Sequence, residues 1–218
     1  MEKRFKMNFN KNLKEIEKII PGFDSETPIQ KSKRITEYNL WPTNAPAIVS
    51  FAKYKQKELS DLFSGKTLID LGCGRNGFGY SCGKLLRIKN YIGVDPILKY
   101  LDSSELKYLN SFNNKKIKFF GIAEDMLSFL KRLPNDSSNF ISSFIDYDIL
   151  EGNFYREEVE KEIYRTLHPK GFYLSYASKI FPPIQCSSFK DERDTLVFSK
   201  DINLCKIKPE IYRNKLTI

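Results

Sequence analysis

Through the middle of the chain, short apolar runs alternate with segments whose apolar residues recur every three to four positions. The runs TLIDL (67–71), YIGVD (91–95), KIKFFGI (116–122), FISSFI (140–145) and FYLSYA (172–177) predict strands. Their continuous apolar character belongs to strands covered on both faces rather than on one. Between them, Phe78, Cys82, Leu85 and Leu86 fall on one helical face, as do Met126, Leu130 and Leu133. Tyr155, Val159, Ile163 and Leu167 repeat at four-residue intervals, and Pro169 and Gly171 close that helix. Strand–helix alternation with right-handed crossovers predicts an α/β fold, a doubly wound and mostly parallel sheet.

The two ends depart from this rhythm. Leu13, Ile16 and Ile20 predict a short helix over 12–20, stopped by Pro21-Gly22. Residues 21–46 are irregular and proline-punctuated, and a second helix is expected over about 47–63. The expected division is therefore an N-terminal helical extension over 1–64 and an α/β domain over 65–218. Removal of residues 1–46 is expected to spare ligand binding by that domain. Near the C-terminus TLVFS (195–199) predicts a strand, and Pro182-Pro183 argues against a long helix before it.

Composition narrows the class. Of 218 residues 41% are hydrophobic and 29% charged, which is globular. The longest apolar stretch, Ala45 to Ala52, is broken by Pro46 and Ser50 and falls far short of the ~20 residues that span a bilayer. The basic N-terminus leads into no apolar segment of the secretory kind, so a cytoplasmic protein without membrane contact is expected. Thirty-six basic against 27 acidic residues leave a charge of +9. That balance suits an acidic partner, but most of the cations are lysine, and arginine, the better reader of phosphates and bases, is sparse. Nucleic acid is therefore a possible partner and not the favoured one. Cys73, Cys82, Cys186 and Cys205 form no CxxC pair, and a single histidine completes no zinc set, so no metal is expected.

The densest chemistry lies in Leu68-Ile-Asp-Leu-Gly-Cys-Gly-Arg-Asn-Gly77. A strand carrying Asp70 runs into a turn in which Gly72 and Gly74 let the backbone approach a ligand with no Cβ in the way, and a helix starts near Asn76. Gly72, Gly74 and Gly77 alone would serve a dinucleotide equally well. Asp95, followed by Pro96, ends the next strand twenty-three residues after Gly72. A carboxylate there sits beside the glycine loop and can accept both hydroxyls of an adenosine ribose.

These segments resemble the class I S-adenosylmethionine-dependent methyltransferases, over about residues 66–177. IDLGCGRNG resembles the family's first motif and YIGVDP its second. GIAEDMLSFLKRLPNDSSNFI resembles the exit of the third strand, and EEVEKEIYRTLHPKGFYLSY the helix and strand that carry E-x-x-R-x-L-x-P-G-G. The resemblance implies S-adenosyl-L-methionine as cofactor, held by Asp70, Gly72, Cys73, Gly74, Asn76, Gly77, Asp95 and Pro96. It also implies an adenine contact at Asp125 and Met126, with Glu124 nearby in the other register. The antiparallel pair the family carries at its C-terminal end is not evident in the last forty residues.

Asp146 and Tyr147, just after the fourth strand, stand where an acceptor enters an open sheet. Asp146 could orient or deprotonate the acceptor and Tyr147 could pack against it. Tyr38 and Trp41 are candidates for the substrate side of the site. The lack of a large recognition domain leans toward a small-molecule acceptor. Within the same fold the rival is an NAD(P)-binding oxidoreductase. A third possibility is a non-catalytic RNA-binding protein that keeps the fold. Asp95 is expected to be solvated without ligand, so that its loss leaves the melting temperature almost unchanged.

Overall fold

The computed structural model describes residues 7–29, 63–74, 87–102, 104–105, 117–144, 153–176, 187–190 and 195–201. The elements are α1 (Phe9–Glu17), β1 (Thr67–Leu71), β2 (Asn90–Val94), a 3₁₀ helix (Pro96–Tyr100), β3 (Lys118–Ile122), α2 (Met126–Arg132), β4 (Ser138–Phe144), α3 (Asn153–Thr166), β5 (Leu167–Tyr176), β6 (Ser187–Lys190) and β7 (Thr195–Ser199). Seven strands form one sheet in the order β3-β2-β1-β4-β5-β7-β6. The first five are parallel, and β7 lies antiparallel between β5 and β6. An antiparallel end to the sheet is thus present, though only β7 is legible in the sequence.

Alternation along the strands explains why both faces are apolar. Ile69, Leu71, Ile92, Val94, Phe120, Ile122, Ile141 and Tyr173 point into one core with residues of α1, α2 and α3. Leu68, Tyr91, Phe119, Phe172 and Leu174, of the opposite parity, are also buried. Phe63 packs edge-on against Phe172 on that second face, with ring centroids 5.3 Å apart. This is the doubly wound, mostly parallel sheet that the strand pattern predicts.

The α1 helix begins earlier than its apolar spacing suggests, because the Asn8 side chain caps it by accepting from Lys11 N at 2.9 Å. Leu13, Ile16, Ile20 and Phe23 belong to the same core as the strands. The Asn12 amide donates to Gly121 O at 2.8 Å, satisfying a carbonyl on the edge strand β3. Residues 9–29 are therefore a layer of the sheet, and a truncation to residue 46 would strip that layer, contrary to the sequence expectation.

Arg132, in the last turn of α2, is the buried link in this packing. Its Nε and Nη2 each donate to Glu124 at 2.8 Å. Nη1 donates to Asp24 O at 3.1 Å and Thr27 O at 2.6 Å, and Nη2 also donates to Pro28 O at 3.1 Å. All five guanidinium N–H groups are used, which is what an arginine 5% exposed requires. Arg165 plays the matching part at the end of α3. It donates to Leu130 O, which also accepts from Leu133 N, and to Leu133 O at the end of α2, and is oriented by Glu162 one turn back.

The α3 helix stops at Thr166, whose hydroxyl donates to Glu162 O at 2.8 Å. Leu167 pairs with Ser138, but the next pair is Phe172 with Phe140, so residues 168–171 bulge out of β5. Pro169 needs no ladder donor there. A Cβ on Gly171 would stand 2.8 Å from Ser138 O and 2.9 Å from His168 O, so glycine is required by close approach. His168 accepts from Lys170 N at 3.1 Å, a local bond at the edge opposite the glycine loop.

Candidate functional site

The site grows from the C-terminal ends of β1 and β2. Beyond Leu71 the chain turns through Gly72 at φ +72° and Gly74 at φ +60°. Other residues would resist that left-handed backbone by about 1–2 kcal/mol each. Gly72 N and Cys73 N both donate to Val94 O, at 2.9 and 3.3 Å, which holds the loop against the end of β2.

Asp95 follows directly. One carboxylate oxygen accepts from Gly74 N at 2.9 Å and the other from Ile97 N at 2.9 Å, so Asp95 also caps the 3₁₀ helix that Pro96 opens. Burial raises its carboxyl above the usual Asp range, and the two amide bonds pull the other way. This corrects the expectation of a solvated side chain: Asp95 is half-buried and already carries two structural bonds.

The residues beneath the loop are structural. Asp70 is 5% exposed and accepts the Tyr91 hydroxyl at 2.5 Å, and Tyr91 stacks on Phe119 with centroids 5.4 Å apart. Cys73 is buried, and burial, reinforced by Asp95 and Asp70, pushes its thiol well above the ordinary range. A thiol so placed stays protonated and inert at neutral pH.

At the exit of β3 the two acids separate. Glu124 is fully buried, and both its oxygens receive Arg132, so it points into the protein and is not displayed at the strand ends. Asp125 caps α2, one oxygen accepting from Leu127 N at 3.0 Å and Ser128 N at 3.4 Å. Its other oxygen accepts the Tyr155 hydroxyl at 2.5 Å. Met126 is partly buried against the core. Asp125 and Met126 follow directly at the strand exit.

Asp70, Gly72, Cys73, Gly74, Asp95 and Pro96 therefore meet at one place, with Asp125 and Met126 two strands along the same edge. Asn76, Gly77, Asp146, Tyr147, Tyr38 and Trp41 lie outside the described residues. Sequence reading missed Arg132, the Tyr155 hydroxyl and the Tyr91–Asp70 bond. A core arginine beside Phe129, Leu130 and Leu133 is the one that its position on an apolar helical arc could have flagged. Among the described residues no cluster of side chains could hold a metal ion, and no helix is long and apolar enough to cross a membrane.

The donor set suits an adenosine. Each Asp95 oxygen has accepted one amide and keeps a lone pair for a ribose hydroxyl, while the positive-φ glycines bring main chain to the same spot. The strand order itself differs from the 3-2-1-4-5-6 of dinucleotide-binding sheets through the insertion of β7.

Comparison with solved structures gives distant likenesses. A proposed S-adenosyl-L-methionine-dependent methyltransferase from Methanococcus maripaludis is 14% identical over 92% of this chain and 97% of its own, with a TM-score of 0.48. A TehB-like SAM-dependent methyltransferase from Corynebacterium glutamicum is 16% identical over 72% of this chain and 100% of its own, with a TM-score of 0.42. A proposed sarcosine dimethylglycine methyltransferase from Galdieria sulphuraria is 16% identical over 60% of this chain, with a TM-score of 0.44, and only 46% of its length is covered. No protein-family model matches the sequence, and no curated protein matches it. At identities this low, the chemistry has to be read from this chain's own residues.

Proposed function

We propose that the protein is an S-adenosyl-L-methionine-dependent methyltransferase acting on a small-molecule acceptor. The observation that carries this reading is the Asp95 carboxylate held at 2.9 Å from the main chain of a positive-φ glycine loop, at adjoining strand ends. Asp95 would accept the ribose hydroxyls through its free lone pairs, and Gly72 and Gly74 would let the ligand lie against the backbone. Asp125 and Met126 would bound the adenine, while Glu124, spent on Arg132, takes no part. When bound, the cofactor supplies a methyl group already activated on a sulfonium, so the protein's task is to orient and to exclude water. Asp146 and Tyr147 would meet the acceptor, Asp146 as a base only where the acceptor is a poor nucleophile. Tyr38 and Trp41 would contribute to the acceptor side.

The test is isothermal titration of the folded protein with S-adenosyl-L-methionine, its demethylated product and NAD. The expected result is one site per chain with micromolar affinity for the first two and none for NAD. Binding of NAD alone would transfer the site to the oxidoreductase reading.

A further inference from the structure

Charge is divided across the sheet. Asp70, Asp95 and Asp125 gather at the C-terminal strand ends, whereas the opposite edge, where the parallel strands begin, is lined with cations. Lys66 precedes β1, Lys89 precedes β2 and Lys118 opens β3. Lys89 N donates to Lys66 O at 2.8 Å and Lys118 N to Lys89 O at 2.9 Å, so the three stand on neighbouring strands about 4.8 Å apart, Lys118 in register with Asn90 and so turned toward the α1 side of the same edge. All three are exposed, and none has a carboxylate partner among the described residues. Glu15, whose charge interacts with Lys118, is itself held by Lys18 at 2.6 Å.

The row continues past the centre of the sheet. Lys170 lies exposed in the first residues of β5, and antiparallel β7 returns Lys200 to the same edge. The acids there are Asp136, neutralised by Lys200 at 2.7 Å, and the half-buried Asp201. The Lys200 ammonium also lies 4.6 Å from the ring centroid of Tyr164, which is 42% exposed. Complementing helix C-termini explains Lys131, Arg132 and Arg165, which lie in last helical turns, and suits Lys66, just past the helical Phe63, but not Lys89 or Lys118.

We propose that this strand-start edge is a docking surface for the phosphodiester backbone of a single-stranded nucleic acid. Lysine ammonium groups bind phosphates as point charges without reading bases, so the expected binding is independent of sequence. The half-exposed Tyr164 ring offers a stacking surface beside the row. A membrane is the poorer match, because lipid charge alone holds a patch at about 1 kcal/mol per lysine, and Tyr164 is the one large exposed aromatic beside the row among the described residues. The surface lies at the edge away from Asp95, so it is independent of the cofactor reading.

The experiment is fluorescence anisotropy with labelled oligouridylate and oligothymidylate of about twelve nucleotides, over about 50–300 mM salt. Both probes should bind, and affinity should fall steeply with salt. Lys66→Gln with Lys89→Gln and Lys118→Gln should weaken binding at least tenfold at about 100 mM salt. The same triple should reduce the log–log salt slope by about 2, and each single replacement by about 0.7. A control triple outside this row, Lys14→Gln with Lys99→Gln and Lys131→Gln, removes the same charge, leaves Glu15 held by Lys18 and should leave affinity within about twofold. Equal loss in both triples, or no binding at about 50 mM salt, would overturn the proposal. So would capture by phosphatidylserine vesicles that the first triple abolishes while oligonucleotide binding persists.

Discussion

Asp95 accepts the Gly74 amide at 2.9 Å and thereby ties the end of β2 to the loop that leaves β1. The same carboxylate caps the 3₁₀ helix through Ile97 N. One side chain thus sets the loop's position in the free protein and offers its remaining lone pairs to a ligand. Asp95→Ala should therefore act twice. Cofactor affinity should fall by about 1.5–3 kcal/mol, the usual cost of losing hydrogen bonds to a charged group. The free protein should also lose about 0.5–2 kcal/mol, as other lost caps do. Titration calorimetry and thermal melts of the cofactor-free variant read the two effects separately.

The raised Asp95 carboxyl makes cofactor binding pH-dependent in a definite direction. Ribose hydroxyls donate to the ionised carboxylate, so binding favours loss of the proton. Affinity should rise with pH through the raised value and level off above it, with proton release on binding inside that window. Calorimetry in two buffers of different ionisation enthalpy gives the proton count. Folding stability runs the other way. A group raised on folding contributes fully below its unfolded value, near 3.8, and that contribution is lost as pH climbs through the folded value. A pH-independent affinity would remove Asp95 from the ligand.

Gly74 sits at φ +60°, where a β-branched residue is strained. Gly74→Val should abolish cofactor binding and lower stability by about 1–2 kcal/mol, leaving far-ultraviolet circular dichroism unchanged. Normal binding by the valine variant would mean that the loop does not touch the ligand.

The Glu124–Arg132 pair gives a stability prediction that needs no ligand. Arg132→Met leaves Glu124 buried without a counter-charge and three carbonyls without a donor, and should cost about 3–5 kcal/mol. Adding Glu124→Leu removes the stranded charge, so the double variant should recover part of that loss. The carbonyls of Asp24, Thr27 and Pro28 keep the recovery incomplete. Urea denaturation of both singles and the double closes the cycle, and strict additivity would show that the two side chains are uncoupled.

These bonds also show where the sequence stopped being legible. The parallel strands could be read because they are buried on both faces and so carry uninterrupted apolar runs, as in TLIDL and YIGVD. β6 could not, because SSFK is four residues long and carries no periodic signal, and its register shifts against β7. The glycine loop and Asp95 were legible because a tight turn and a ribose acceptor each demand particular residue types. Glu124 was misleading for the opposite reason. An acid at a strand exit suits a ligand, and only the distant Arg132, itself folded back over α2, reveals that its charge is already used.

Asp125 provides the last test, since its cap and an adenine contact can be told apart. Its carboxylate accepts two amides on one oxygen and the Tyr155 hydroxyl on the other, which leaves a single lone pair toward the strand ends. If that lone pair meets the adenine amino group, Asp125→Ala should weaken the adenosyl product by about tenfold or more. An analogue with hypoxanthine in place of adenine has no amino donor, so it should bind the native protein weakly and lose little further in the variant. Loss of the cap alone would instead lower the melting temperature and weaken both ligands equally. Tyr155→Phe separates the cases again. It frees an acceptor position on Asp125 without touching the cap, so discrimination between the two ligands should survive or sharpen. Native protein that binds both equally would exclude Asp125 from adenine recognition and leave Met126 and the backbone of the β3 exit to bound the base.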